Sequence, residues 1–250
     1  MAGHSKFANI KHRKGAQDKK RANLFTKLAR EIIVSAKMGM PDPAFNPRLR
    51  AAIAAAKSQS MPKDKIENAI KKGSGSGEGE NYDEIRYEGY GPGGTALIID
   101  VLTDNKNRSA SEVRAVLTKA GGNLGESGSV GFMFDRVGLI QYPKSIVSDD
   151  DMFEAALEAG ADNCESDDEV HEITCASDLF NEVRDALVEK YEDPDVGRLS
   201  WKPKNTIEVD LETAQKIFKL IDNLEDLDDV QYVTSNFEVS DEVAEKLASG

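Results

Sequence analysis

The chain has 250 residues, a formal net charge of −13, 39% hydrophobic residues and two cysteines. Its length exceeds that of one typical domain, which predicts two or three hydrophobic cores. No stretch approaches the roughly 18 consecutive apolar residues that a membrane-spanning helix requires. The first residues also lack the apolar stretch of a secretory signal. We therefore expect a cytoplasmic protein that does not act in a membrane.

The charges are divided unevenly along the chain. Residues 1–72 carry 17 Lys and Arg against 5 Asp and Glu, whereas the remaining 178 residues carry 15 against 40. A basic segment of this density suits phosphate backbones, because bound cationic side chains release condensed counterions. The alternative is a solvated basic helix bundle without a polyanion partner. Because phosphates repel the acidic residues that follow, we expect that part of the chain to contact protein partners instead.

The first third of the chain predicts a basic arm followed by three helices. Residues 1–15 show no apolar period and are expected to be poorly ordered by themselves. Apolar residues then recur at steps of three and four in three stretches, which predicts amphipathic helices. The first helix is expected over 16–39, the second after an Asn46 cap, and the third from Pro62 to Gly73. Such short helices bury their apolar stripes by forming a bundle, with Lys and Arg outside.

A Gly/Ser-rich segment, residues 73–81, predicts a flexible hinge before the acidic part. Beyond it, a hairpin with a central apolar strand is followed by a capped helix. Residues 135–209 follow the order strand, helix, strand, strand, helix, strand, which is the split βαβ or ferredoxin-like arrangement. Because 82–134 has too few elements to close its own layers, we expect 210–250 to complete it. The predicted fold is α+β: an N-terminal three-helix bundle (1–72) and two α/β domains, the ferredoxin-like one inserted in the other.

Patterns that suggest catalysis or cofactors have structural explanations. The glycines of residues 89–94 fit a GxGxxG pattern, but they join two strands, and Pro92 lacks an amide donor for a phosphate. The acidic cluster at 149–151 has no EF-hand spacing and coincides with a helix start, where carboxylates complement the helix dipole. Cys164 and Cys175 have no metal or disulfide spacing. We therefore expect no catalytic residue, no metal and no cofactor, and interpret the protein as a non-enzyme.

The candidate site is the basic arm with the first helix, where hydrogen-bond donors and cations recur every two or three residues. Phe7 adds a ring that can stack on a base. The alternative is a generic disordered tail, and the spacing reveals no sequence preference. The predicted nucleic-acid-binding residues are His4, Ser5, Lys6, Phe7, Asn9, Lys11, His12, Arg13, Lys14, Lys19, Lys20, Arg21, Lys27 and Arg30.

Three segments carry a resemblance to a known family. They are the first 32 residues, the segment YEGYGPGGTALIIDVLTDNKNRSASEVR and the segment GGNLGESGSVGFMF. The chain resembles the YebC/PmpR family, whose mitochondrial members include the translational activator of cytochrome c oxidase subunit I, over essentially its whole length. The resemblance implies an N-terminal three-helix domain, two α/β domains and residence in the bacterial cytoplasm.

The resemblance also implies a function and site residues. It implies a DNA-binding transcriptional regulator, and as a competing role a ribosome-associated translation factor that binds rRNA and relieves stalling at proline-rich sequences. Where many relatives have Trp, this chain has Phe7, which keeps a stacking face but loses the indole donor. The expected partner is therefore DNA, or rRNA in the ribosome. The arm positions that match the family motif are Gly3, His4, Ser5, Lys6, Asn9, Ile10, Lys11, His12, Arg13 and Lys14.

Overall fold

The computed structural model describes residues 17–75 and 82–249, with side chains from residue 22 to residue 247. Within these limits the chain forms two compact units. The units consist of residues 28–75 with 136–200, and of residues 17–27 with 82–135 and 201–249. None of the helices in this part of the chain combines the length and apolar content that a bilayer crossing requires.

Helices and strands alternate after an all-helical start. The helices are α1 (Gln17–Met38), α2 (Pro47–Ser58), α3 (Lys63–Ser74), α4 (Lys106–Lys119), α5 (Asp149–Glu158), α6 (Phe180–Tyr191), α7 (Leu211–Glu225) and α8 (Asp241–Ser249). The strands are β1 (Asp83–Tyr90), β2 (Ala96–Thr103), β3 (Asn123–Leu124), β4 (Phe134–Pro143), β5 (Asn163–Ser166), β6 (Val170–Ala176), β7 (Val196–Pro203), β8 (Ile207–Glu208), β9 (Val230–Ser235) and β10 (Phe237–Glu238). The predicted three-helix start and α+β class are confirmed.

Helices α1 to α3 form where their apolar periodicity predicts them. The backbone amide of Leu49 donates to the Asn46 side chain at 3.0 Å, so the predicted cap of α2 is present. Helix α3 continues through Gly73, one residue beyond its predicted end, because this buried glycine allows close packing on α1. A Cβ at Gly73 would lie 2.5 Å from the Ile33 carbonyl oxygen. The rest of the predicted hinge, 76–81, lies outside the described residues.

The first sheet has the strand order β3-β1-β2-β9. Strand β2 is central and almost continuously buried, as its unbroken apolar sequence predicts. Its second neighbour comes from the end of the chain, since Ile98 pairs antiparallel with Thr234 of β9. Helices α4 and α7 cover one face and bury Leu117 and Leu220 against Ile99.

The second sheet has the order β5-β6-β4-β7. Strands β4 and β6 are central and antiparallel, with Ile140 opposite Ile173. This is the predicted ferredoxin-like order. Helices α5 and α6 supply Met152 and Leu187 to the core on one face. The sheet is formed by a segment between β3 and β9 of the first sheet, whereas the residue limits of the individual domains stay a prediction.

Candidate nucleic-acid interface

Most of the predicted arm lies outside the described residues. This applies to His4, Ser5, Lys6, Phe7, Asn9, Lys11, His12, Arg13 and Lys14. Lys19, Lys20 and Arg21 lie in the first turns of α1, where the structure describes the backbone alone. The contribution of all these residues to binding stays a prediction.

Lys27 and Arg30 lie nearly one turn apart on α1, and both are half-buried. The Lys27 ammonium donates a hydrogen bond to the carbonyl of Glu225, the last residue of α7. The Asn23 amide donates to the next carbonyl, that of Asp226, at 3.2 Å. Both groups satisfy carbonyls at the negative end of a helix dipole. Lys27 therefore has a structural partner in addition to its predicted phosphate contact.

Two arginines of α2 are ion-paired within their own compact unit. Arg48 donates from Nε and Nη2 to the two carboxylate oxygens of Glu31, at 2.7 and 3.2 Å. This bidentate geometry fixes the planar guanidinium. Arg50 Nη2 lies 3.3 Å from Asp185 Oδ1 on α6. These two cations stabilise the packing of helices, and part of the positive charge of the basic segment is thereby neutralised.

Three other lysines of the bundle are exposed and form no ion pair with the residues that the structure describes. These are Lys57 in the last turn of α2 and Lys71 and Lys72 in the last turn of α3. In these positions they complement helix dipoles, but their ammonium groups remain accessible to an anion. Sequence reasoning did not select them, although a basic last turn is a recognisable signal. The bundle thus keeps exposed positive charge outside the predicted residue set.

The end of α1 and the loop that joins it to α2 carry exposed apolar side chains, which sequence reasoning also missed. We call Met38, Met40 and Phe45 the end-loop residues; they expose 69, 57 and 71% of their surfaces. The side chain of Asn46, only 6% exposed, holds this loop. Its Nδ2 donates to the carbonyls of Ser35 at 2.7 Å and Met40 at 2.8 Å, while its oxygen caps α2.

A glycine makes this anchoring possible. A Cβ at Gly39 would lie 2.6 Å from Asn46 Nδ2, so a larger residue would displace the amide from its two carbonyl acceptors. The Gly39 amide also donates to the Ser35 carbonyl at 3.2 Å. The loop is therefore fixed to both helices that it connects, and its apolar side chains are presented on a rigid backbone.

The first sheet contains a second anchored loop. Glu88 of β1 has a fully buried side chain, and its Oε2 accepts from the amides of Val130 at 2.8 Å and Gly131 at 2.7 Å. Burial alone raises the pKa of Glu88, but the amides of Val130, Gly128 and Gly131, with the charge of Arg86, hold that pKa below its usual value. The carboxylate therefore fixes this glycine-rich loop in its charged form.

The loop held by Glu88 also presents an aromatic ring. Phe132 follows the two amides that bind the carboxylate and is 66% exposed.

The only tryptophan of the chain is held by two charged side chains. The Arg86 guanidinium lies 4.8 Å from the centre of the Trp201 ring, and the indole Nε1 donates to Asp100 at 3.1 Å. The indole is held by a cation on its face and a carboxylate at its edge.

Two family profiles match most of the chain. The TACO1/YebC protein N-terminal domain matches residues 5–76, and the TACO1/YebC second and third domain matches residues 82–237. The chain belongs to the TACO1/YebC family. The resemblance found from the sequence is confirmed, and the second profile is labelled as a transcriptional regulator.

A solved structure shows the same architecture. The crystal structure of a conserved hypothetical protein, Aq1575, from Aquifex aeolicus aligns with a TM-score of 0.85 and 48% sequence identity. The alignment covers 93% of this TACO1/YebC chain and 96% of that chain. The arrangement of helices and sheets described above is therefore shared with an experimentally determined structure.

The remaining groups of chemical interest in this TACO1/YebC chain are part of its packing. His171 is buried; its Nε2 donates to the Val147 carbonyl at 3.1 Å, and its Nδ1 shares a hydrogen bond of 2.6 Å with Ser166 Oγ. Burial raises the pKa of the free thiols Cys164 and Cys175 to about 11, so both are protonated at neutral pH. In the described ranges, no group of three or more His, Cys, Asp or Glu side chains is placed to hold a metal ion.

Proposed function

We propose that this chain is a nucleic-acid-binding regulatory protein that contacts phosphates through its basic N-terminal third. The division of charge carries the proposal, with 17 Lys and Arg against 5 Asp and Glu in residues 1–72. The exposed ammonium groups of Lys57, Lys71 and Lys72 support it. The arm and the start of α1 are proposed to add the predicted contacts. Phosphates repel the acidic remainder, which is free to meet protein partners.

The first candidate form of this function is a DNA-binding transcriptional regulator in the cytoplasm. The transcriptional-regulator label of the family profile over residues 82–237 supports it. In this form Lys19, Lys20, Arg21, Lys27 and Arg30 contact phosphates of the duplex, and the acidic domains stay away from the backbone.

The second candidate is a ribosome-associated translation factor that binds rRNA and relieves stalling at proline-rich sequences. The exposed face of α3 favours it, since Asp64 and Glu67 lie among Lys63, Lys65 and Lys71 on that helix. A helix that enters the major groove brings its side chains close to two phosphate backbones, where carboxylates are repelled. An irregular RNA surface allows the lysines to contact phosphates while the carboxylates point away.

The proposal is tested with the full-length protein and fluorescein-labelled duplex DNA or an rRNA fragment, by fluorescence anisotropy. Raising the salt from about 50 to about 200 mM should weaken binding by at least about tenfold, since several phosphates are neutralised. Replacing Lys57, Lys71 and Lys72 together by Ala should weaken binding and reduce the salt dependence. An affinity that does not respond to salt or to this variant contradicts the proposal.

A matched control replaces three exposed lysines of the acidic part, which should leave the affinity unchanged. These are Lys119, Lys202 and Lys219. The two candidate forms are separated by comparing ribosome co-sedimentation with genomic footprinting in the same cells. A footprint without co-sedimentation rejects the translation factor, and co-sedimentation without a footprint rejects the transcriptional regulator.

A further inference from the structure

We infer that the end-loop residues Met38, Met40 and Phe45 bind unpaired RNA bases, with the Phe45 ring stacking on a base. The inference rests on the proposed function, because it takes the bundle to be the nucleic-acid-binding part. It adds a contact to bases beside the proposed contacts to phosphates, and so names the form of nucleic acid that this surface accepts.

The first argument is that the exposure of these side chains is built into the fold. Three apolar residues within eight positions expose more than half of their surfaces, and clustered exposed apolar groups mark interaction sites. The loop that carries them is fixed by Asn46, which contacts α1, the loop and α2. A rigid loop loses little conformational entropy when it binds. The end-loop residues are therefore preorganised for a partner.

The second argument is the charge beside the loop. Gly73 packs on α1, where a Cβ would lie 2.7 Å from Ala36 Cβ, so the last turns of α1 and α3 meet at one end of the bundle. Lys71 and Lys72 precede this contact and are exposed, as is Lys37 on α1. The apolar side chains thus lie at an end of the bundle that also carries cations.

The one carboxylate of the loop does not cancel this charge. Asp42 accepts the Ala44 amide at 2.9 Å, which engages one of its oxygens in the loop turn. The exposed Lys71 and Lys72 outnumber this one carboxylate and leave positive charge at the end of the bundle that carries the apolar side chains. This surface is complementary to a partner that has phosphates around an accessible apolar face. An apolar protein pocket would have to supply carboxylates for the lysines or leave them without a counter-charge.

The third argument concerns base pairing. A ring stacks only on a base whose face is accessible, and RNA loops and bulges offer such bases next to phosphates. In a duplex, neighbouring bases cover these faces. Methionine adapts to irregular apolar surfaces, so Met38 and Met40 suit the edges of splayed bases. The surface therefore favours unpaired RNA over duplex RNA.

The test compares two labelled RNAs of equal length, a hairpin with a loop of unpaired uridines and a fully paired duplex. In the full-length protein, Phe45→Ala should weaken binding to the hairpin about tenfold, the loss expected for one stacked ring. The salt dependence should not change, because no charge is removed, and binding to the duplex should change by less than about twofold. Phe45 is exposed, so an unchanged thermal unfolding curve is the check on folding.

Phe153→Ala is the matched control, because Phe153 is a half-exposed ring on the acidic helix α5; it should leave both affinities unchanged. A Lys71→Ala, Lys72→Ala variant should weaken binding to both RNAs. Suppose that the double lysine variant weakens binding to both RNAs, whereas Phe45→Ala weakens binding to both RNAs equally or to neither. The inference is then overturned and the proposed function stands, with the end-loop residues available to a protein partner. If the wild-type protein binds neither RNA, the inference and RNA binding by the bundle both fail.

Discussion

Asn46 in the helical bundle and Glu88 in the first sheet solve the same structural problem with different chemistry. Each is a buried polar side chain that holds a loop through backbone hydrogen bonds. Each loop presents an exposed phenylalanine, Phe45 in one case and Phe132 in the other. The difference is the charge of the anchor. Asn46 holds its loop with neutral hydrogen bonds at every pH, whereas Glu88 does so as an anion.

The difference in charge sets the expected strength of the two anchors. A hydrogen bond to a charged group contributes about 1.5–3 kcal/mol to stability, against about 0.5–1.5 kcal/mol for a neutral one. Removal of a buried partner also leaves unsatisfied amides or carbonyls, which adds a desolvation cost. Glu88 accepts two short bonds from amides, so its loss should cost more than the loss of Asn46. The comparison can be tested with three measurements.

The largest effect is expected for Glu88→Ala, which removes the acceptor of the Val130 and Gly131 amides. We expect the free energy of unfolding to fall by about 3–4 kcal/mol, measured by urea denaturation at neutral pH. Glu112→Ala is the control, because Glu112 is exposed on α4, and it should stay within about 0.5 kcal/mol of the wild type. Equal stabilities of the two variants would contradict the anchoring role.

A smaller loss is expected for Asn46→Ala, which removes the α2 cap and two bonds to carbonyls. The expected decrease in unfolding free energy is about 2–3 kcal/mol by urea denaturation. Asn68→Ala, at an exposed position of α3, should cost less than about 0.5 kcal/mol. A cost for Asn46→Ala above that of Glu88→Ala would reverse the proposed order of the two anchors.

The smallest effect is the pH dependence that separates them. Because the folded-state pKa of Glu88 lies below its usual value of 4.5, its charge stabilises the fold above pH 4.5. This contribution is lost as the pH falls through the folded-state pKa. The difference in unfolding free energy between the wild type and Glu88→Gln should therefore shrink from pH 6 to pH 3.5, by no more than about 1.4 kcal/mol, because pH 3.5 lies one unit below the usual pKa of 4.5.

In urea titrations at the same two pH values, the difference between the wild type and Asn46→Ala should remain constant, because an amide does not titrate. If the difference in unfolding free energy between the wild type and Glu88→Gln is also constant, the Glu88 carboxylate contributes no pH-dependent stability. Asn46→Ala thus controls for the titration of all other carboxylates.

Local patterns predicted the elements well, because their causes lie within a few residues. The Asn46-Pro47 pair predicted the start of α2, and the unbroken apolar run of β2 predicted a central strand. The element order from 135 to 209 predicted the ferredoxin-like sheet. In contrast, the two-residue strands β8 and β10 are too short for periodicity to separate them from β7 and β9. The pattern of helix α8 was missed, since its apolar spacing is short and flanked by charges.

The candidate site was predicted less well, because its contacts join distant positions. Lys27 was selected for its charge, but its hydrogen bond to Glu225 spans 198 positions and cannot be inferred from spacing. The amides that hold Glu88 lie 42 and 43 positions away, so its burial is not visible in the alternating polar pattern of β1. The loop that presents Phe45 is held by Asn46, whose side chain reaches the carbonyls of Ser35 and Met40, and apolar periodicity does not predict this anchoring.

The pairing of β2 with β9 sets the order in which the chain can be completed during synthesis. The Ala96 amide donates to the side chain of Asn236, 140 positions later. A ribosome therefore releases the most apolar strand of the first sheet well before the segment that covers its open edge exists. The cationic helices precede the acidic segments in the chain, so the bundle leaves the exit tunnel before the carboxylates that outnumber its lysines and arginines.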